Sequence, residues 1–149
     1  MSEIERTENE EMQFSSGLAA FEAKEFSRAI QYLSPFADND AHAQHMLAII
    51  YQNGLGTAEN AELALKLMTK SAEGGYPIAQ HGLGFMYMQG ECVDKDSTKA
   101  VEWFQKAADQ GLQGSLTTLA MMYEQGEGVE KDAEKAKELY KAAGFDDLA

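Results

Sequence analysis

Three histidines are the residues of this sequence whose type and spacing could bind a metal. His42 and His45 lie three residues apart, which places both on one face of a helix, and His81 follows His45 by 36 residues. Imidazole is a common zinc ligand, but no carboxylate near these histidines completes an obvious ligand set. We therefore predict no metal site and expect the three side chains to line a polar surface.

Cys92 and the stretch Asp94-Lys-Asp96 are the other groups that could do chemistry. A cysteine nucleophile needs a nearby base, and no histidine is adjacent to Cys92 in the sequence. Asp94-Lys-Asp96 superficially starts a calcium-binding loop, but Lys99 stands at the sixth position, where such loops need glycine. No glycine-rich phosphate loop follows a strand, because we expect no strands. We predict that the protein is not an enzyme and uses no cofactor.

The charge balance disfavours several classes of partner. The 149-residue chain contains 25 Asp and Glu but 12 Lys and Arg, which gives a formal net charge of −13. We therefore expect it to bind neither nucleic acid nor anionic membranes. No apolar run approaches the ~20 residues of a membrane span, and the N-terminal residues do not resemble a secretory signal. With its single cysteine, the chain is expected in the cytoplasm.

The elements that position these residues repeat along the chain. Residues 43–51, 79–87 and 115–123 align with an offset of 36, and residues 79–105 share 12 identities in 27 positions with residues 115–141. Within each copy the apolar residues follow the spacing of a helix. Gly54, Gly90 and Gly126 suit the end of a first helix. Asn60, Asp96 and Asp132 suit the N-caps of second helices expected at about 61–73, 97–109 and 133–143.

Four hairpins of two helices each account for most of the chain. The first hairpin is different, because its connection around Lys24 is short and lacks the glycine loop. We predict an all-α, right-handed α-solenoid over residues 11–144, with repeats at about 11–38, 42–75, 78–111 and 114–144. A flexible acidic N-terminus over 1–10 and a C-terminal tail over 145–149 are expected to flank it.

The repeated residues resemble the Sel-one-like repeat (SLR), a relative of the tetratricopeptide repeat (TPR). The copy at 79–111 carries the pattern most fully, with Leu83, Gly84, Tyr87, Gly90, Val93, Lys95, Asp96, Lys99, Ala100, Trp103, Phe104, Ala107, Ala108 and Gly111. The first hairpin is more similar to a plain TPR unit, with Gly17 and Ala29 at the small positions. The resemblance implies a helical-repeat fold and a role as a protein-binding adaptor.

The resemblance also implies which residues face the concave groove between the first helices. The candidate partner-binding residues are Phe14, Leu18, Phe21, His42, His45, Ile49, Gln52, Asn53, His81, Phe85, Met88, Gln89, Thr117, Met121 and Glu124. Many are apolar, and polar side chains flank them, as in a recognition groove. The alternative is that they pack on neighbouring first helices, or that the chain's own termini fill the groove.

We therefore expect a non-enzymatic adaptor that binds a peptide or helix of another protein, neutral or basic, in this groove. Phe21, Ile49 and Phe85 would be its apolar anchors. The alternative is self-association, with Phe145 and Leu148 either sealing the last hairpin or joining a second copy in a homodimer.

Overall fold

The chain folds into helices joined by short loops over the part described by its computed structural model, residues 6–145. Over that range there are eight α-helices, one short 3-10 helix and no strand, which confirms the all-α prediction. The α-helices are α1 (Glu8–Glu22), α2 (Phe26–Leu33), α3 (Ala41–Asn53), α4 (Ala61–Glu73), α5 (Pro77–Gln89), α6 (Ser97–Asp109), α7 (Gln113–Gln125) and α8 (Ala133–Ala142); the 3-10 helix is Ser34–Phe36. None of these helices is long and apolar enough to cross a membrane.

The second helix of each of the three glycine-loop repeats starts at the predicted cap. The side chains of Asn60, Asp96 and Asp132 each accept a hydrogen bond from the backbone N–H three residues on, at 3.0, 3.1 and 3.0 Å. A cap of this kind satisfies one of the N–H groups that the first turn of a helix leaves without a partner. The first helices α3, α5 and α7 end at glycines in the left-handed conformation, as the sequence predicts.

The chain forms two compact units, which divide between Leu67 and Met68, within α4. In the N-terminal unit, α1 packs on α2, and Gly17 lets them approach closely. A Cβ atom at Gly17 would lie 2.6 Å from Cδ2 of Leu33, a fully buried side chain. The small residue at this position, noted in the sequence, is therefore required by helix packing.

Of the flexible segment expected at 1–10, residues 1–5 lie outside the described residues, and the rest differs from the expectation at the start of α1. Helix α1 begins at Glu8, because Thr7 and Glu10 form a capping box. The Thr7 hydroxyl accepts the N–H of Glu10 at 3.1 Å, and the Glu10 carboxylate accepts the N–H of Thr7 at 3.3 Å. The boundary expected at residue 11 therefore lies inside a helix. The Thr-x-x-Glu spacing was the available signal in the sequence.

In the C-terminal unit, α5, α6, α7 and α8 pack in chain order around an apolar core. Its buried members are Ala100, Phe104, Ala108, Leu119, Ala120, Met122 and Leu139. Phe104 fits because α5 has glycine opposite it: a Cβ at Gly84 would lie 2.8 Å from the Phe104 ring.

Glutamine side chains link the ends of neighbouring helices in this unit. Gln110, after α6, donates to the carbonyl of Gly75 at 3.0 Å and to the side chain of Gln80 on α5 at 2.9 Å. At the start of α7, Gln113 donates to the carbonyl of Ala143 after α8, at 2.8 Å. These bonds satisfy backbone carbonyls at helix ends and fix the stacking of the helices.

Candidate protein-binding face of the first helices

The first helices of the three glycine-loop repeats carry almost no charge. Among the residues of α3, α5 and α7, Glu124 is the single Asp, Glu, Lys or Arg. The second helices α4, α6 and α8 contain four, four and five such residues. This contrast was visible in the sequence once the helix bounds were known. We therefore call α3, α5 and α7 the uncharged helices, because apart from Glu124 their surfaces can be desolvated without burying an ion.

On α5, His81 is held in place by its neighbours. Its Nδ1 lies 2.6 Å from Oγ of the buried Ser115 on α7, and its ring contacts Phe85 and Phe104 edge-on at 4.9 and 5.3 Å. Burial lowers the pKa of the His81 imidazole. His81 is thus a fixed, neutral polar group between two of the uncharged helices.

The apolar candidates of the C-terminal unit differ in exposure. Phe85 and Met88 are partly buried and pack against the core, with the Phe85 ring 5.1 Å from that of Phe104. Met121 on α7 is 44% exposed, and Ile78 on α5, a groove-facing position by the same repeat pattern, is 47% exposed. Phe85 therefore packs against the core, whereas Met121 and Ile78 present apolar surface to solvent.

Glu124 is positioned by a tyrosine that the sequence did not single out. Its carboxylate accepts a hydrogen bond from Tyr140 on α8, and the pKa of Tyr140 is raised by burial and then by the Glu124 charge and this bond. Gln89 is exposed, and Thr117 is partly buried with its hydroxyl donating to the carbonyl of Gln113 at 3.0 Å.

In the N-terminal unit, the predicted residues of α1 lie in aromatic contacts. Phe14 packs edge-on against Phe36 at 5.4 Å and against His42 at 5.8 Å. Phe21 packs in the same way against Phe26 at 5.6 Å. Phe14, Leu18, Phe21 and His42 are all partly buried. The structure therefore brings Phe14 and His42 together, as expected of residues on one face.

Helix α3 presents its candidates unequally. Ile49 and Gln52 are partly buried, and the exposed Asn53 donates its side-chain N–H to the carbonyl of Ile49 at 2.9 Å. His45 differs from the expectation that it lines an open groove, because it is only 9% exposed. Burial, and then the charge of His42, lower the pKa of His45 to about 4. Its imidazole is therefore neutral and packed at physiological pH.

Among the described residues, no group of three His, Cys, Asp or Glu side chains is placed to hold a metal ion.

Cys92 has a positive φ of 66°, in the loop position where the other two repeats have Gly56 and Gly128. This agrees with the interpretation of Cys92 as a loop residue in a backbone conformation typical of glycine. An open cleft of about 520 Å³ lies in the N-terminal unit, between Lys24, Arg28 and Gly56, and none of the candidate residues lines it.

The stacked hairpins, with their glycine loops and uncharged first helices, define a helical-repeat protein. The Sel1 repeat family model matches residues 41–76, 77–112 and 116–144, and the chain belongs to the Sel1 repeat family. Sel1 and TPR-like repeats generally mediate protein–protein interaction, and the Sel1 scaffold is generally non-catalytic.

Solved structures share this architecture. A Sel1 repeat protein from Oxalobacter formigenes is 31% identical, with a TM-score of 0.83 over 87% of this chain and 54% of that one. A protective antigen of uropathogenic Escherichia coli strains that displays an SLR fold is 34% identical, with a TM-score of 0.75 over 76% of this chain and 25% of that one. The cysteine rich protein B of Helicobacter pylori, 24% identical with a TM-score of 0.63 over 78% of this chain and 84% of that one, shares the fold.

The chain thus spans about half the length of the first of these proteins and a quarter of the second. No curated protein matches it significantly. The α-solenoid predicted from the sequence is confirmed by the family match and by these structures.

Proposed function

We propose that the protein is a non-enzymatic adaptor that binds a peptide or helix of a neutral or basic partner along its first helices. The observation that carries this proposal is the exposed apolar surface of Ile78 and Met121 on helices that bear a single charged residue. Elsewhere in the repeats the helices have the mixed charge of an ordinary solvated surface. Removing such an apolar surface from water favours association, and on α5 and α7 only Glu124 carries a charge that binding would have to desolvate.

The side chains around Met121 suit a peptide rather than a rigid small molecule. Methionine is flexible and polarizable, so Met88 and Met121 can adapt to side chains of different shape. Gln89 and Glu124 are exposed and provide hydrogen-bonding groups beside them. The Glu124 carboxylate, held by Tyr140, would attract a cation of the partner.

The test must separate binding from stability. Phe85 is a poor probe, because a polar group at Phe85 would face Phe104 and disturb the core. Met121→Gln removes exposed apolar surface without adding charge. Met12→Gln is the matched control, since Met12 is 69% exposed on α1 and was not predicted to bind.

Peptides would be selected on the natural protein from a random library displayed on phage, and their affinities measured by fluorescence anisotropy. We expect Met121→Gln to weaken binding about tenfold or more and Met12→Gln to leave it unchanged. Equal affinities for both variants, or no selected peptide at all, would contradict the proposal.

Self-association is the second candidate function, favoured by the exposed Phe145. This ring is 43% exposed and packs edge-on against Tyr140 at 6.3 Å, just after α8. Leu148, the other residue predicted to act here, lies outside the described residues. Sedimentation velocity over a concentration series would show a dimer that Phe145→Ser abolishes. A monomer at every concentration would eliminate this candidate.

A further inference from the structure

The guanidinium of Arg6 lies in a site built from three separate segments of the N-terminal unit. It stacks 4.0 Å from the ring centroid of Phe14 on α1 and 4.9 Å from that of Phe36 in the 3-10 helix. It forms an ion pair with Asp40, the residue before α3, and lies 3.9 Å from the Glu11 carboxylate. We call Phe14, Phe36, Asp40 and Glu11 the arginine cradle.

The cradle offers what an arginine side chain recognises. A guanidinium is planar and weakly hydrated, so it stacks on aromatic faces while its N–H groups reach a carboxylate. The side chain of Arg6 is 18% exposed and that of Asp40 is 17% exposed, so the ion pair is largely shielded from solvent. Such a pair is stronger than an ion pair at an open surface.

The cradle is fixed by contacts that do not involve Arg6. Phe36 is 5% exposed and holds Phe14 edge-on at 5.4 Å. Asp40 uses Oδ1 to cap α3 by accepting the N–H of Ala43 at 2.8 Å, whereas Oδ2 is the atom that contacts Arg6. Removing Arg6 therefore leaves the carboxylate and both rings in position.

We infer that the cradle is an arginine-recognition site which the chain's own Arg6 fills, and which takes an arginine of a partner protein when Arg6 leaves. The inference rests on the proposed adaptor function, because Phe14 and the neighbouring His42 are both candidate partner-binding residues. The acidic balance of the chain favours an arginine-bearing segment over an acidic one.

Arg6 also acts as a competitor, because it is tethered to the site that it fills. A tethered group competes at a high effective concentration, because it cannot diffuse away from its site. The apparent affinity for a partner's arginine equals the affinity of the empty cradle multiplied by the fraction of time that the cradle is empty. A partner must therefore bring further contacts, or displace the N-terminal segment, before its arginine is bound.

The probe is the blocked peptide acetyl-Gly-Arg-Gly-amide, with lysine and citrulline versions as comparisons. Citrulline has the shape of arginine without its charge. Binding would be followed by NMR chemical-shift changes of the protein during titration. We expect the Arg6→Ala variant to bind the arginine peptide at least about tenfold more tightly than the natural protein, with lysine weaker and citrulline not bound.

Two further variants in the Arg6→Ala background test the site itself. Asp40→Asn keeps an N-cap on α3 but removes the charge, and we expect about a tenfold loss of peptide affinity. The matched control is Asp132→Asn, which makes the same change at the N-cap of α8, where no arginine is bound. Far-UV circular dichroism checks the fold, and Arg6→Gln replaces Arg6→Ala if the alanine variant loses helix.

The results separate this inference from the adaptor proposal. If the Arg6 variants bind no arginine peptide, or bind it equally well with Asp40→Asn, the arginine cradle is refuted even where peptides selected from the library bind at Met121. If the cradle binds arginine but the library yields no peptide, the inference stands for this site and the adaptor proposal at α5 and α7 fails.

Discussion

The buried imidazole of His45 makes the free energy of unfolding depend on mildly acidic pH. In the folded protein its pKa is lowered to about 4, first by burial and then by the charge of His42. In the unfolded chain it returns to the ordinary value of 6.5. Between these values the unfolded chain binds more protons than the folded protein, so the stabilisation is complete above pH 6.5 and is lost as the pH falls towards 4.

The size of the effect follows from the two pKa values. A difference of about 2.5 pKa units corresponds to about 3 kcal/mol over the whole range. Asp and Glu side chains also titrate near pH 4, so the free energies of unfolding are best compared between about pH 7 and about pH 5.5. Within it, His45 alone lowers the free energy of unfolding by about 1 kcal/mol.

Urea unfolding followed by circular dichroism at both pH values measures this loss. His45→Gln is the comparison, because glutamine has a similar size and does not titrate. We expect the natural protein to lose about 1 kcal/mol more than the variant between the two pH values. An equal loss in both proteins would refute the argument that His45 is buried in its neutral form.

Four further substitutions test the packing and backbone conformation, each by urea unfolding. Gly128→Ala should cost about 2–3 kcal/mol, because its φ is positive and the added Cβ would overlap the backbone carbonyl oxygen of Ser97. Gly111→Ala, with positive φ but open space, should cost only about 1 kcal/mol, and equal costs would contradict the steric argument. Lys24→Gly should stabilise the protein by about 0.5 kcal/mol, because Lys24 has a φ of 62°, and a loss of stability would oppose this. Ser115→Ala should cost about 1–2 kcal/mol by leaving His81 without its partner, and an unchanged stability would exclude that hydrogen bond.

The sequence predicted the features that depend on local chemistry. A cap such as Asp96 needs only its own side chain and the backbone three residues on, so its residue type and position reveal it. The left-handed glycines that end α3, α5 and α7 were identified for the same reason. The second helices consequently begin where they were expected, at Ala61, Ser97 and Ala133.

Features that depend on packing between distant residues were not predicted. Two contacts join different helices: that of Phe85 with Phe104, and the hydrogen bond between Glu124 and Tyr140. A helical pattern in the sequence shows which residues share a face of one helix. It does not show which residues of another helix they meet, or how deeply they are buried. The burial of His45 was missed for the same reason. The contact of Arg6 with Asp40 spans a whole hairpin, and no repeat pattern includes it.

The division of charge between the two kinds of helix would let the proposed binding face change without altering the charged surface. Helices α4, α6 and α8 contain seven Lys and six Asp or Glu, so they are hydrated by nearly balanced charges. The large acidic excess resides in the other parts of the chain, including α1 and the loops. Exposed positions of α5 and α7 can therefore change in the course of evolution, or in the laboratory, with little effect on the groups that keep the protein dissolved. A scaffold built in this way can acquire a new partner by changing a few uncharged side chains.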